Sequence, residues 1–393
     1  MIAFKALQVL TLALMALGIS AEDIQYKIRR GETPSRAVNL GSWLVGEYWM
    51  SYHSPAWAGV PEDVARGGEY AAMKYLGHEK GDKQFDEHRR TWIQIDDIKE
   101  IKTRGLNTVR VPVGFWMLND DSSNEPSEQG KVYAPNSLYY LDQLIKNWTV
   151  QHEVAVMLSL HAHQGSQNGF DHSGPVMIGD KKWFESDENV KTSLNLAAFL
   201  AKRYKDQPSF LGLNLMNEPN NNDKQPILEK YYVDAYTRIR DAGNDCIIVT
   251  SPMLGQQTPP FMDHFMLPTD HPVGRPDLLY TNVWHELHAY FIWGYEGRGD
   301  QDVINAAAGY KTGFIDAWHG NPLFIGEFCL DGPNNSSFAD RNALVQFGKT
   351  QLETFSHAKA GWAFGAWRHD DEQTSTSGWS MRQLLREHML TLA

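Results

Sequence analysis

Cysteine is scarce in this chain, and blocks of basic residues do not occur. Its 393 residues include two cysteines, Cys246 and Cys329, so the sequence is not that of a disulfide scaffold. The formal net charge is −12 without any run of lysine or arginine, which argues against a nucleic-acid-binding protein. Cys246 begins one predicted buried strand and Cys329 ends another, at opposite ends of the fold. We therefore expect two free, buried thiols.

The motifs of several common enzyme classes are also missing. No glycine-rich phosphate loop follows the first predicted strand, and no Gly-x-Ser-x-Gly sequence marks a serine esterase. The sequence His-Glu-Leu-His at residues 285–288 resembles a zinc-protease motif, but that motif has two residues between the glutamate and the second histidine. His161 and His163 could chelate a metal, but no third ligand is evident. We expect neither a metal nor another cofactor.

Long apolar runs are confined to the N-terminus. Lys5 precedes an apolar segment at residues 6–16, and small residues that offer a cleavage point follow it. Residues 1–21 are therefore predicted to be a secretion signal, with an uncleaved anchor as the alternative. We expect residues 22–393 to form one domain without a membrane span, secreted as a monomer to the extracellular space or the cell wall.

Two apolar stretches that each lead into a glutamate carry most of the functional information. Residues 213–219 are typical of a buried strand and contain Asn217 and Glu218 at their end. Residues 322–329 repeat the arrangement with Glu327. An acid at the end of a buried strand is costly unless it has a partner or a chemical role. Because the two acids are remote in the sequence, they can meet only if the fold brings two strand ends together.

Strand-like and helix-like segments alternate along the chain. The predicted strands are residues 36–41, 108–113, 154–160, 213–219, 246–250, 278–288, 322–327 and 361–367. The predicted helices are residues 85–102, 138–152, 190–205, 225–241, 304–318, 338–357 and 380–390, and a long polar connection is expected before residue 81. This alternation predicts an α/β fold, a single closed (β/α)8 TIM barrel with its active site at the C-terminal face of the strands. A doubly wound open sheet is the main alternative.

Two acids that face each other suit the cleavage of a glycosidic bond. One acid protonates the leaving oxygen, while the other attacks the anomeric carbon or activates a water molecule. Arg110 lies among valines in the second predicted strand, where its charge can keep one acid ionised. The 13 tryptophans, 16 tyrosines and 17 phenylalanines are compatible with stacking on sugars, although ordinary use in the core explains them equally well.

Short pieces spread along the chain resemble glycoside hydrolase family 5, and among its members most closely the exo-β-1,3-glucanases. These pieces are residues 38–44, 109–116, His161 with 165–171, 217–219, 288–290, 325–327 and the strand ending at Trp367. The resemblance covers nearly the whole mature chain and implies a retaining hydrolase with its acids on the fourth and seventh strands. The implied substrate is a β-1,3-glucan of the cell wall, from which glucose is released at non-reducing ends.

The resemblance also implies a role for each matching residue. Glu218 would be the acid/base and Glu327 the nucleophile. Among the implied substrate-binding residues, Glu47 would bind hydroxyls of the terminal glucose and Asn217 would bind the sugar 2-hydroxyl. Arg110 and Tyr290 would donate hydrogen bonds to the nucleophile, and His161 and His288 would surround the cleaved sugar. Trp367 would be the stacking floor of this sugar, and Phe170 with Trp293 would form an aromatic clamp at the entrance.

The chain departs from the family pattern at several positions of the pocket wall. Ser159 and Ala162 flank His161 where the family has aspartate and glycine, His172 stands for an asparagine, and Phe328 and Gly365 each stand for a tryptophan. Two other functions therefore stay open. One is an endo-acting hydrolase, or a hydrolase of β-1,6 or another β-glucan linkage, with the same fold. The other is a secreted protein that binds glucan without cleaving it.

Overall fold

The described part of the chain contains a closed barrel of eight parallel strands. The computed structural model describes residues 23–333, 336–338, 340–373 and 375–392, so the predicted secretion signal lies outside the described residues. The barrel strands are β1 (Ser35–Asn39), β2 (Thr108–Gly114), β3 (Ala155–Ala162), β4 (Phe210–Asn214), β5 (Ile247–Thr250), β6 (Val283–His288), β7 (Leu323–Glu327) and β8 (Gly361–Phe364). Each strand pairs with its neighbours in the sequence, and β8 pairs with β1 to close the ring. The predicted TIM barrel is confirmed.

Helices alternate with these strands. They are α1 (Ile24–Arg29), α2 (Tyr48–Ser51), α3 (Glu62–Ala65), α4 (Gly68–Trp92), α5 (Ile95–Thr103), α6 (Ser137–Gln143), α7 (Thr149–His152), α8 (Asp187–Tyr204), α9 (Gln225–Asp241), α10 (Asp300–Tyr310), α11 (Arg341–Phe355) and α12 (Met381–Arg386). Wider π-helical turns at Leu144–Trp148 and Lys311–Ile315 extend α6 and α10. Within the described ranges, none of the helices combines the length and the apolar character that a bilayer crossing requires.

The segment before residue 81 differs from the sequence-based expectation of a polar connection. It contains α3 and the first half of α4, a charged helix of 25 residues that bends at Gly77. Its buried residues recur at helical spacing, but several of them are glycine, glutamate, histidine or arginine, so the apolar periodicity that reveals most helices is weak here. The predicted helix at 85–102 is in fact two helices, because the backbone becomes extended at Ile93 and the chain changes direction.

The barrel interior changes from apolar to polar along the strands. A lower layer of inward-facing side chains, which includes Trp284 and Phe324, packs against Ile28 of α1. Because alternate residues of a strand share a face, Glu286 on β6 lies one layer above Trp284. Gly326 on β7 makes room for it, since a Cβ at residue 326 would overlap the Glu286 carboxylate. The apolar layer thus supports a polar one at the mouth.

Both cysteines are free and buried, as expected from the sequence. Cys246 immediately precedes β5, and Cys329 lies just beyond the end of β7. The two thiols therefore lie at opposite ends of the barrel wall.

Replacing Gly326 with alanine should destabilise the fold, because the added methyl group collides with a buried carboxylate. Overpacking of this kind typically lowers the free energy of unfolding by about 1–3 kcal/mol. Gly309 in α10 is the matched control, since nothing lies within 4 Å of a Cβ built there. Gly309→Ala should stabilise the protein slightly, as alanine favours the helix. Urea denaturation followed by circular dichroism measures both variants, and equal midpoints for Gly326→Ala and the wild type would contradict this account.

Candidate active site

Glu218 and Glu327 meet at the C-terminal mouth of the barrel. Glu327 is the last residue of β7, and Glu218 lies in the loop that follows β4. One carboxylate oxygen from each acid and one ring nitrogen of His288 all lie within 4.8 Å of one another. The barrel therefore brings together the two acids that the sequence places far apart.

Two donors hold the Glu327 carboxylate. Nη1 of the buried Arg110 donates to Oε1 at 2.8 Å, and the Tyr290 hydroxyl donates to Oε2 at 2.8 Å. Burial alone would raise the pKa of Glu327, but the positive charges of His288 and Arg110 outweigh it and hold this pKa below its ordinary value. Glu327 is thus an oriented anion, which is the state required of a nucleophile.

Glu218 is held in position by its backbone as well as its side chain. Its φ of 46° lies in the left-handed region, which costs a residue with a Cβ about 1–2 kcal/mol. The loop after β3 stabilises this conformation, because Asn168 Nδ2 donates to the Glu218 carbonyl at 3.2 Å and Gln167 Nε2 donates to the Asn217 carbonyl at 2.9 Å. Strain maintained by neighbouring hydrogen bonds is common at active sites.

His288 connects the two acids to each other and to a third. Its Nδ1 lies 2.8 Å from Glu218 Oε1 and 3.6 Å from Glu327 Oε2, and its Nε2 lies 3.1 Å from Glu286 Oε1. Burial lowers the pKa of His288, but the surrounding carboxylates more than reverse this and raise it to about 10. A protonated imidazole has no lone pair for a metal. Hydrogen bonding therefore accounts for this cluster of donor atoms, and the absence of a metal stays a prediction.

Asn217 presents an unused donor at the site. Its Oδ1 accepts a hydrogen bond from Arg110 Nη2 at 2.9 Å. Its Nδ2 is buried and has no hydrogen-bond partner among the described residues. An unpartnered buried donor costs about 1–3 kcal/mol, so a ligand hydroxyl here would be bound favourably. The predicted contact with a sugar hydroxyl remains a prediction, and the free donor is consistent with it.

Glu47 lies on the same face, in the loop between β1 and α2. Its Oε2 accepts from Trp49 Nε1 at 3.0 Å, and its Oε1 accepts from the Ser42 amide at 3.3 Å. Burial raises the pKa of Glu47 to about 7, although the charge of His172 opposes the rise. A buried carboxyl with a pKa near neutrality can either donate to or accept from a hydroxyl group.

His172 is a site residue that the sequence analysis noted as a departure but gave no role. It lies in the short helical turn Asp171–Ser173, with its Nε2 3.8 Å from Glu218 Oε2 and its ring 5.0 Å from that of His161. Burial lowers the pKa of His172, but the charges of Glu218 and Glu47 outweigh it and raise the value above normal. By contrast, burial and neighbouring cations keep the pKa of His161 well below normal. The sequence did offer one signal for a role of His172 in the site, since this residue follows His161 closely, in the loop after β3.

The predicted aromatic clamp residues lie at the edge of the site. Phe170 is 42% exposed, and its ring lies 5.7 Å from that of His172. Trp293 is 65% exposed, and its ring lies 5.5 Å from that of Tyr290. Each therefore presents an open aromatic face next to a residue of the site.

The predicted stacking role of Trp367 is wrong. This side chain is 0% exposed, and its Nε1 donates to Asp97 Oδ1 on α5 at 2.8 Å, so the indole packs in the core behind the mouth. The physical reason is that β8 ends at Phe364, and beyond a strand end the alternation of side-chain directions no longer applies.

Trp379 provides an aromatic ring where Trp367 does not. Its half-buried ring lies 5.4 Å from that of Tyr290 and 5.0 Å from that of Trp49. These two neighbours donate to Glu327 and Glu47 respectively, so Trp379 packs against the side chains that hold both carboxyls. Its Nε1 donates to Asp331 Oδ2 at 3.0 Å, which fixes the indole.

Comparison with known proteins identifies the family to which this chain belongs. The sequence profile of the family described as cellulase (glycosyl hydrolase family 5) matches residues 77–371. The glucan 1,3-beta-glucosidase of Blumeria graminis is 34% identical over 61% of this chain and 53% of that relative, about half its length. The probable glucan 1,3-beta-glucosidase A of Aspergillus niger is 25% identical over 96% of this chain and 94% of that relative.

Solved structures support the same fold. The rutinosidase from Aspergillus niger superposes with a TM-score of 0.73 at 16% identity, covering 92% of this chain and 99% of that one. The endoglucanase Cel5A from Thermotoga maritima superposes with a TM-score of 0.56 at 16% identity, and the superposition covers 92% of this chain and 96% of the endoglucanase chain. At these identities the likeness concerns the fold alone.

Separate substitutions of Trp379 and Trp367 should distinguish the residue that stacks on sugar from the residue that supports the fold. Trp379→Ala should raise the KM for a β-glucan oligosaccharide about tenfold, which corresponds to about 1.4 kcal/mol of lost sugar contact. Trp367→Phe should instead lower the melting temperature, because it removes a hydrogen bond to a carboxylate, and leave KM unchanged. Steady-state kinetics and thermal denaturation of both variants measure this, and a raised KM for Trp367→Phe alone would reverse the assignment.

Proposed function

Because the chain belongs to glycoside hydrolase family 5, we propose that it is a retaining, exo-acting β-1,3-glucosidase that releases glucose from the non-reducing ends of β-1,3-glucan. The observation that carries this proposal is the short gap between Glu218 and Glu327, whose nearest oxygens lie within 4.8 Å. Retaining enzymes hold their carboxyl groups about 5–5.5 Å apart, whereas inverting enzymes need about 6.5–9.5 Å to accommodate a water molecule. The gap supports direct attack by a carboxylate.

In the first step Glu327 attacks the anomeric carbon and forms an ester with it. Glu218 gives its proton to the glycosidic oxygen as the bond from this oxygen to the anomeric carbon breaks. The donors on Glu327, Arg110 Nη1 and the Tyr290 hydroxyl, fix the direction of its attacking oxygen. The two carboxyls thus divide the work, with Glu327 as the attacking group and Glu218 as the proton donor.

In the second step the ester is hydrolysed. Glu218, now ionised, takes a proton from water while the water oxygen attacks the anomeric carbon and Glu327 leaves as a carboxylate. Each step inverts the anomeric centre, so the product keeps the β configuration of the substrate. The site returns to its starting protonation with one water consumed.

Separate observations support the linkage and the exo action. The fungal relatives named as glucan 1,3-beta-glucosidases support β-1,3 linkages. Exo action is supported by Glu47, a buried carboxyl in the loop after β1 that would bind hydroxyls of the terminal glucose. If residues 1–21 act as the predicted signal, the substrate would be glucan outside the cell or in its wall.

The first product formed from laminaripentaose with a reduced terminal unit tests mechanism, linkage and direction together. Proton NMR should show β-glucose appearing first and converting slowly to the α anomer, because two inversions retain configuration. The reduced end carries no anomeric proton of its own, so early free glucose comes from the non-reducing end. Initial α-glucose would contradict retention, and early laminaribiose or longer products would contradict exo action.

Glutamine substitutions separate the roles of the two acids. Glu218→Gln and Glu327→Gln should each lower kcat/KM on laminaripentaose at least about 10³-fold, since each removes a full chemical role. On 2,4-dinitrophenyl β-glucoside, whose leaving group needs no proton, Glu218→Gln should still release a burst of dinitrophenolate. Glu327→Gln should not, because it lacks the attacking oxygen.

The exposed Glu188 on α8 is the matched control for these substitutions. Glu188→Gln should retain wild-type rates on both substrates. Near-wild-type turnover by either Glu218→Gln or Glu327→Gln would count against the assigned roles.

A further inference from the structure

A third carboxylate, Glu286, lies directly beneath the two acids and takes no part in the steps above. Its side chain is 0% exposed. We propose that Glu286 is a positioning residue for this hydrolysis, which orients both of the cationic side chains that hold the reacting carboxyls, Arg110 and His288. The catalytic meaning of this inference rests on the proposed function, whereas the contacts that support it do not.

One oxygen of Glu286 contacts both cations. Its Oε1 lies 2.9 Å from Arg110 Nη2 and 3.1 Å from His288 Nε2. The other nitrogens of these cations reach the reacting acids, Arg110 Nη1 to Glu327 at 2.8 Å and His288 Nδ1 to Glu218 at 2.8 Å. A shift of the Glu286 carboxylate would therefore be transmitted to both reacting acids through a single intervening side chain each.

The barrel is constructed to accommodate this carboxylate. Gly326 on β7 leaves the space that Glu286 fills, and Ser251 Oγ donates to its Oε2 at 3.3 Å. A buried ion pair is weak evidence for stability, because removing charges from water costs several kcal/mol per ion and an apolar replacement is often as stable. A glycine and a hydroxyl arranged around a buried carboxylate therefore point to a role for its charge and position.

The charges around Glu286 are balanced. Burial would raise its pKa, but Arg110 and a hydrogen bond with His288 outweigh burial and hold the pKa of Glu286 below its ordinary value. The titratable or charged groups that face this network are Arg110 of β2, His161 of β3, His172 and Glu218 of the following loops, Tyr232 of α9, Tyr290 after β6, and Glu327 of β7. Two carboxylates, Glu286 and Glu327, offset the two cations. Without Glu286 the site gains an excess positive charge, which favours early loss of the proton that the acid must donate.

The test is the pH dependence of kcat/KM for Glu286→Gln and Glu286→Asp in the full chain. We expect the profile of Glu286→Gln to move to lower pH by about one unit, because a negative charge within contact distance of both cations is removed. Glu286→Asp keeps the charge and should return the profile to the wild-type position while kcat stays reduced. A merely structural role would lower the rate at every pH without moving the profile, which would overturn the proposal.

Glu69 provides the matched control. It is another fully buried carboxylate, paired with the buried Arg89 at 2.8 Å, and it contacts neither reacting acid. Glu69→Gln should lower stability but leave the position of the pH profile unchanged. A shift as large as that of Glu286→Gln would overturn the specific role of Glu286.

Nitrogen NMR of the His288 ring gives a second measurement that does not require activity. With a pKa of about 10, the wild-type ring should keep both protons at pH 8, and Glu286→Gln should lower the titration midpoint by about one unit. A neutral wild-type ring at pH 7 would overturn the proposal even if Glu286→Gln fails to fold. If the wild-type protein cleaves no β-glucoside, the proposed function fails, and this titration still decides whether Glu286 holds His288.

Discussion

The site depends on the hydrogen bonds and ion pairs of one buried group, the guanidinium of Arg110. From β2 its Nη1 reaches Asn39 of β1 and Glu327 of β7, and its Nη2 reaches Asn217 beyond β4 and Glu286 of β6. A cation buried in this way costs several kcal/mol unless it is paired and hydrogen-bonded. Its partners therefore have to come from across the barrel, and the same bonds that satisfy the charge set the positions of the Glu327 carboxylate and of the Asn217 amide. Arginine suits this task because its planar fork offers several donors in fixed directions.

This arrangement is possible because the barrel divides its interior between two purposes. The lower layer, with Trp284 and Phe324, is apolar and packs against α1, so it contributes to the stability that any fold needs. The upper layer holds charges and a residue with left-handed backbone, Glu218, which cost stability. Barrel enzymes separate stability and chemistry in this manner, with the strand ends reserved for reactive groups. Glu286 lies at the boundary between the two layers.

The sequence predicted the parts of this site that strand geometry determines. Apolar runs that end in Glu218 and Glu327 mark strand ends, and alternation with helices closes the barrel, so convergence of the acids followed. Trp367 could not be placed correctly, because beyond the end of β8 nothing local in the sequence sets the direction of a side chain. In the sequence, Glu286 was noticed only as part of an apparent zinc motif. The partners of a buried acid within a strand lie on neighbouring strands, and the sequence alone does not give the register that brings them together.

The contacts of His288 also suit a site that keeps its charge constant through the proposed reaction. When the proposed ester forms, Glu327 would lose its negative charge and Glu218, having given up its proton, would acquire one. His288 Nδ1 lies 2.8 Å from one acid and 3.6 Å from the other, so the negative charge moves between two positions that the same cation already contacts. Glu286, on the opposite ring nitrogen, stays charged throughout and holds the ring in place. No group outside the two reacting acids has to gain or lose a proton, so the dipoles and charges of the site need little reorganisation. A fixed cation shared by two acids that exchange one charge would therefore favour both steps of the proposed double displacement.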